Sequence, residues 1–511
     1  MSEEISRRKF LKRAAYAGGS LALLSTGVFN SSSMGSQGEL TATVVVDGPT
    51  TIMPGRLTDA PGQNIADAMY ERLFMLKGHG DEGERTPWLV KDFDRTSDGK
   101  KWTFRLKEGV KFHHGTEMTA DDVVFTFKRI MDPDFGSPQK SLFSAVNEVS
   151  KKDRYTVVFD LKKPVPDFQL KFFAYNTVIL AKDFNYTEQK HSGTGPFKLV
   201  DYKAGESLTF EKFEDYWMEG VPHVDKLRFQ IVPEMATRMV MIESGDADIA
   251  PFIGLQQYER LKKSQNAKAT STESAFHTPI SMRADQEPFD DPRVRKAMKY
   301  VVDRDQMFTS AMGEVGSIGH DHPIWEGYPW YKDLGTRERN VERARELLAE
   351  AGYENGISVD LHYGTNFPVV PATVLNYQQM AKPAGIDINL VGSSGDVYYS
   401  KYWLKAKMTC TEWIHRENPI DLLNVAFKGD GPWNESHYSN PELDRHIEGA
   451  ASELDEEKRQ DHFTEIQRIL REDGGTIIPF FGADFSGLSK RVKDFWMTRA
   501  AAAEYRYFTV E

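Results

Sequence analysis

One cysteine, Cys410, is present among 511 residues, so no disulfide framework can form within the chain. No uninterrupted apolar run reaches the roughly 18 residues that a bilayer-spanning helix needs, and nothing in the body of the protein reads as a membrane span. Basic residues are in the minority, 64 Lys and Arg against 76 Asp and Glu, for a net charge of -12. That balance argues against nucleic acid as a partner, because phosphate recognition draws most of its affinity from clustered Lys and Arg. Catalytic templates are missing as well: there is no His-Glu-x-x-His, no Gly-x-Ser-x-Gly, no Gly-x-x-x-x-Gly-Lys and no Gly-x-Gly-x-x-Gly after a strand. Gly193-Thr194-Gly195 runs into Pro196 and a strand, which makes a turn rather than an anion cradle. The nearest thing to a metal pair, His113-His114, would point its two rings to opposite faces of a strand. No catalytic residue, cofactor or metal site is expected.

What the chain does have is length enough for about three domains and an aromatic content of 12%, most of which is expected to be core. Leu40–Val46 reads as a buried strand, followed by a helix over Asn64–Leu76. Lys101–Leu106 alternates with period two and, with Val110–Phe112 beyond a Glu-Gly turn, predicts a hairpin. Thr119 and Asp122 form a capping box for a helix whose stripe is Val123, Phe127 and Ile130, and Tyr155–Phe159 follows as a strand. Gly245 ends a helix that starts at Met235. From residue 290 the pattern becomes α/β, with helices at Pro292–Val301, Val341–Ala351 and Val374–Ala384 and strands at Ser358–Tyr363 and Asp387–Leu390. A long helix, Asp455–Arg471, leads to a strand, Ile477–Phe481.

The first 35 residues read as an address. Ser6-Arg7-Arg8-Lys9-Phe10-Leu11-Lys12 matches the twin-arginine export motif, and a short, Gly/Ser-containing apolar stretch follows it. This predicts export of a folded chain to the periplasm through the twin-arginine machinery. No cysteine lies near the cleavage region, so no lipid anchor is expected.

The segment Trp102–Thr116 with Thr119–Val124 resembles the signature of family 5 extracellular solute-binding proteins, the peptide, oligopeptide and nickel group that serves ABC importers. The likeness continues through Gly193–Leu199, Asp215–Trp217, Ala236–Ile249, Pro288–Ala297, Ala344–Tyr353 and Tyr438–Asp444. The resemblance implies an α/β, two-lobed periplasmic binding protein with a small extra domain in the first lobe. Lobe I would comprise 39–80, 191–275 and 480–511, the inserted domain 81–190 and lobe II 276–479, with hinge segments at Phe276–Arg283 and Ile477–Phe481. It further implies a monomer that captures a peptide or other small polar solute and hands it to a membrane permease without chemistry. Oligosaccharide or metal-chelate binding is the alternative on the same fold, and a secreted hydrolase or chaperone the reading from another class.

In the family, a Trp after a buried strand opens the ligand loop, and an Asp shortly after it captures a peptide ammonium. Here the run is Thr411–Asn424. Trp413 and the segment from Pro419, with Asp421, match; the Asp position falls on Arg416, or on His415 or Glu417 if a one-residue gap shifts it. A guanidinium there offers paired donors to a carboxylate, phosphonate or sulfonate, and Arg283 on the hinge adds a second basic change; together they predict an anionic ligand. The competing reading is that Arg416 pairs with Glu412 or Glu417 and Arg283 with Asp285. His277 is a further candidate donor, and Phe252 is expected to line the first-lobe wall.

Overall fold

Strand Thr41–Val46 is β-branched and almost wholly buried, and it sits at the middle of the largest sheet. The computed structural model of the protein describes residues 39–78 and 84–511; the export motif and its cleavage region lie outside them. Thr41–Val46 runs parallel to both Lys226–Ile231 and Ile249–Ile253. Ser207–Lys212 and Phe197–Lys203 extend one side by antiparallel pairing. On the other side, Phe480–Ser489 is inserted between Ile249–Ile253 and Ala267–His277. The far end of the chain thus completes a sheet begun by its first described strand.

A second sheet has five strands in the order Ile386–Ser393, Ile357–Gly364, Met408–Cys410, Ile280–Met282 and Thr476–Ile477. The chain passes from the first sheet to the second between His277 and Ile280, and back between Ile477 and Phe480. Pro479 separates Thr476–Ile477 from Phe480–Ser489, so the single strand expected at Ile477–Phe481 is two. A proline cannot donate to a ladder, and it marks the point where the chain changes sheets.

The third sheet is antiparallel, ordered Val90–Arg95, Lys101–Leu106, Thr156–Leu161, Val146–Asp153. Lys101–Leu106 therefore pairs with the strands on either side of it and not with Val110–Phe112, whose only bridge is Lys111 to Glu117. Both side chains at Val110 and Phe112 are buried, and their apolar alternation reflects core packing rather than a ladder. The aromatic surplus collects here: Phe104, Phe127, Phe159, Phe168 and Phe172 pack edge to face, with Phe168 and Phe172 at 5.2 Å and 87°.

Helix boundaries moved where caps decide them. The helix expected over Asn64–Leu76 is Ala60–Met69: the Asp59 carboxylate accepts from the Gly62 N–H at 2.7 Å, proline occupies the first turn, and Phe74–Lys77 pairs with Glu84–Pro87 instead of continuing the helix. Likewise the expected Val374–Ala384 is Val370–Ala381. Ala120–Met131 has its capping box, with the Thr119 N–H donating to Asp122 at 2.8 Å. Met235–Ser244 ends on Gly245 at φ 83°. No described helix is long and apolar enough to cross a membrane.

Candidate functional site

The strand Ile249–Ile253 does not end regularly. Its pairing with Phe480–Ser489 shifts between Pro251 and Ile253, and the residue between them, Phe252, has φ 55°. Such a bulge re-aims a side chain, and Phe252 lines a cavity of about 340 Å³. Ala483, Asp484 and Phe485 of the neighbouring strand share that wall. Across from them stand Pro368, Val369, Glu412, Ile414 and His415, from segments attached to the five-stranded sheet. The cavity thus lies between the two sheets. Its volume is at the small end of the range for ligand sites, and its lining is mainly apolar with a few polar groups.

Among the described residues, the charged groups of that lining are acidic, Asp59, Glu412 and Asp484, beside the neutral polar Thr58, Gln63, Tyr175 and His415, and no Lys or Arg lines it. Asp59 is committed to the backbone N–H groups of Thr50 and Gly62. Burial alone pushes the Asp484 carboxyl up to about 7. Burial also pushes Glu412 up to about 7, against one hydrogen bond from the Val369 N–H at 3.3 Å and with help from the neighbouring Asp484 charge.

A second cavity of about 120 Å³ adjoins the first and shares Tyr175, Ile414, His415 and Ala500 with it. Arg416 lines this one, together with Lys171, Glu417 and Asp421. Among the described residues its Nε is buried without a hydrogen-bond partner, and neither Glu412 nor Glu417 forms an ion pair with it. The Glu417 carboxylate is taken by Arg85 at 2.7 Å, Arg499 at 2.8 Å and His415 at 3.0 Å. Burial would raise Glu417, but the His415 hydrogen bond and the Arg499 and Arg85 charges outweigh it and hold the group well below the usual carboxylate range. Because the Ala275 N–H donates to His415 Nδ1, the proton sits on Nε2 and is given to Glu417. His415 is therefore a neutral structural link, with burial lowering its pKa. Asp421 is paired with Lys171 at 2.7 Å.

The remaining expected residues lie elsewhere. Arg283 does not line the large cavity: it grips Asp285 at 2.8 and 2.6 Å and reaches the carbonyls of Leu404 and Lys405, the local pairing that was the competing reading. Trp413 turns its indole N–H to the buried Glu435 at 3.1 Å and also stays out of the large cavity. His277 is fully buried at the sheet crossing, giving Nδ1–H to the Ala275 carbonyl at 2.8 Å, and burial drops its pKa to about 4. Cys410 is buried in its strand. Sequence reasoning passed over Asp484, although a lone carboxylate inside the apolar run Ile477–Leu488 was the available signal; Glu412 had been noticed only as an ion-pair partner.

The model of the family described as bacterial extracellular solute-binding proteins, family 5 Middle, matches residues 84–455. A curated relative, the glutathione-binding protein GsiB of Pectobacterium atrosepticum, is 26% identical over 469 residues, covering 88% of this chain and 90% of its own. Among solved structures, the periplasmic binding protein DppA of Helicobacter pylori in complex with the peptide STSA superposes with a TM-score of 0.77 at 22% identity, covering 93% of this chain and 99% of that one. NikA of Staphylococcus aureus in complex with Ni(L-His)2 gives a TM-score of 0.77 at 20% identity, with coverage of 92% and 100%. At such identities the structural likeness carries the two-lobed fold alone.

Proposed function

The chain belongs to the family 5 bacterial extracellular solute-binding proteins, a family of binding proteins and not of enzymes, and from that premise we propose that it is the periplasmic capture component of an ABC importer. A peptide or similarly sized polar solute is held in the interlobe cavity and delivered to the permease. The observation that carries this reading is the cavity of about 340 Å³ whose walls come from both large sheets. A guest there touches both lobes only when they are together, so its differential affinity for the closed form shifts the hinge equilibrium.

The division into lobe I (39–80, 191–275, 480–511), an inserted domain (81–190) and lobe II (276–479) is supported by the way the three sheets partition the chain. Arg416, with an unpartnered donor in the adjoining cavity, is the group for an anionic end of the solute. Residues 1–35 direct twin-arginine export, and the exported chain acts as a monomer.

The test is a thermal-shift screen of dipeptides, dicarboxylates, sugars and metal chelates, followed by small-angle scattering with the best hit. A captured solute at 100 times its Kd stabilises by about 2.7 kcal/mol, contracts the particle and is recovered unchanged. A hit that is chemically converted, or binding with no contraction, refutes the reading.

A further inference from the structure

Away from the interlobe cavity, behind the crossing at Ile477–Phe480, the protein buries more positive charge than negative. Lys299 is fully buried, and Arg304 and Arg337 are more than nine-tenths buried. Among the described residues Asp321 is the one carboxylate buried with them, its Oδ2 lying 2.6 Å from Arg304 Nη2 and 3.8 Å from Arg337 Nε. Lys299 donates to the Leu470 and Arg471 carbonyls at 2.7 and 3.1 Å, at the end of helix Glu456–Asp473. Arg337 donates to the Arg471 carbonyl at 2.9 Å and to the partly exposed Glu472 at 3.0 Å, while Arg471 Nη1 is taken by the Leu334 carbonyl at 2.7 Å.

Those contacts leave nitrogens over. Among the described residues, Arg304 Nη1, Arg337 Nε, His320 Nδ1 and both ring nitrogens of the fully buried His322 have no hydrogen-bond partner. Buried donors in that condition are rare and unfavourable, most of all on charged groups. The rings of His320, His322 and Tyr331 stand around one point, their centroids 6.2, 6.4 and 6.4 Å apart. Tyr331 and Arg471 are only partly buried, so the outer edge of the cluster meets solvent. A metal ion there would face four like charges, Lys299, Arg304, Arg337 and Arg471, whereas an anion is attracted by all of them. Burial, with His320 and Arg471 beside it, drops the His322 pKa to about 3 and keeps its ring neutral.

We propose that this cluster is a binding site for a small inorganic anion. Arg304 Nη1, Arg337 Nε and the ring N–H groups of His320 and His322 donate to it, and its charge balances the cations that Asp321 alone does not match. The close spacing of the three rings favours a monatomic anion over a tetrahedral one. Asp321 links the site to the crossing: its N–H donates to the Ile478 carbonyl and its Oδ1 accepts from the Ile478 N–H, each at 3.3 Å. The Gly319 N–H donates to the Pro479 carbonyl at 2.9 Å. A bound anion therefore braces the loop that holds the chain where it passes between sheets.

The experiment is chloride NMR line broadening of the full chain, paired with anomalous diffraction from a bromide-soaked crystal. Broadening should be saturable and removed by bromide; removal by equimolar phosphate as well assigns a tetrahedral anion to the same site. His322→Phe, which keeps a buried ring, should weaken chloride at least tenfold, and Arg416→Ala should not. In the wild type, which needs no variant to fold, the bromide peak should lie within hydrogen-bond distance of Arg304 Nη1, Arg337 Nε or a His322 nitrogen. Broadening that survives His322→Phe or vanishes in Arg416→Ala overturns the site. So does a water in place of bromide, or a bromide peak without saturable broadening, which means binding at crystal concentration only.

Discussion

Lys171 Nζ lies 2.7 Å from Asp421 Oδ1, and both side chains are buried. A parallel contact, Arg459 to Asp167 at 2.5 Å, joins the same two regions: the segment after the antiparallel sheet and the helices beside the five-stranded one. Buried pairs of this kind roughly break even when intact, but removal of one member strands the other. Lys171→Met should therefore cost about 3–5 kcal/mol in urea denaturation, with the joint change Lys171→Met and Asp421→Leu recovering much of it. Equal stability of wild type and the single variant would mean that the pair does not hold these regions together.

Arg416→Ala gives a different outcome. With no ion pair to lose, the variant should melt within about 0.5 kcal/mol of wild type. Its affinity for an anion-bearing solute should fall by about 1.5–3 kcal/mol, the usual worth of a hydrogen bond to a charged group. Titration of a neutral analogue serves as the control and should be unaffected.

Asp484 makes the ligand-free protein sensitive to pH in a defined direction. Its folded pKa is raised to about 7, so the stability it contributes is complete below the ordinary aspartate range and is lost as pH rises through about 7. The buried histidines His277 and His322 titrate in an overlapping window with the opposite sign, which is why the informative quantity is a difference. The stability of Asp484→Asn relative to wild type should climb between pH 5 and 7 by up to about 1.4 kcal/mol per unit and level off above that. Parallel pH profiles would show that the carboxyl ionises normally.

Gly193 and Gly195 test how tightly the first helix is seated. A Cβ at Gly193 would lie 1.8 Å from the Met69 carbonyl oxygen, and one at Gly195 2.6 Å from the Met69 carbonyl carbon. Gly193→Ala should abolish soluble, cooperatively melting protein. Gly205→Ala, at φ +74° but facing open space, should cost only about 1–2 kcal/mol.

Much of this architecture was legible because the recurring segments do one physical job together. Thr194, Tyr216 and Trp217, all inside the segments that resemble the family, donate to the fully buried Glu71 carboxylate at 2.9, 2.6 and 3.0 Å, with Trp88 at 2.7 Å and Arg506 at 3.3 Å. Glu71 itself carried no signal, since one glutamate after a helix looks like any other. The site was less legible. Arg283 looked like a ligand group until a partner two residues away claimed it, and Trp413 until Glu435, distant in sequence, took its N–H. Asp484 was hidden for the converse reason: only the folded arrangement reveals that nothing answers it.

The same Glu71 knot bears on what can move. By binding residues from four widely separated stretches, it ties the segment leading into the small antiparallel sheet to segments flanking the eight-stranded one. The two chain crossings, at His277–Ile280 and Ile477–Phe480, lead into or out of strands that are neighbours in one ladder. For the closure proposed above, these two crossings are the single axle, and a solute would need to restrain only that rotation.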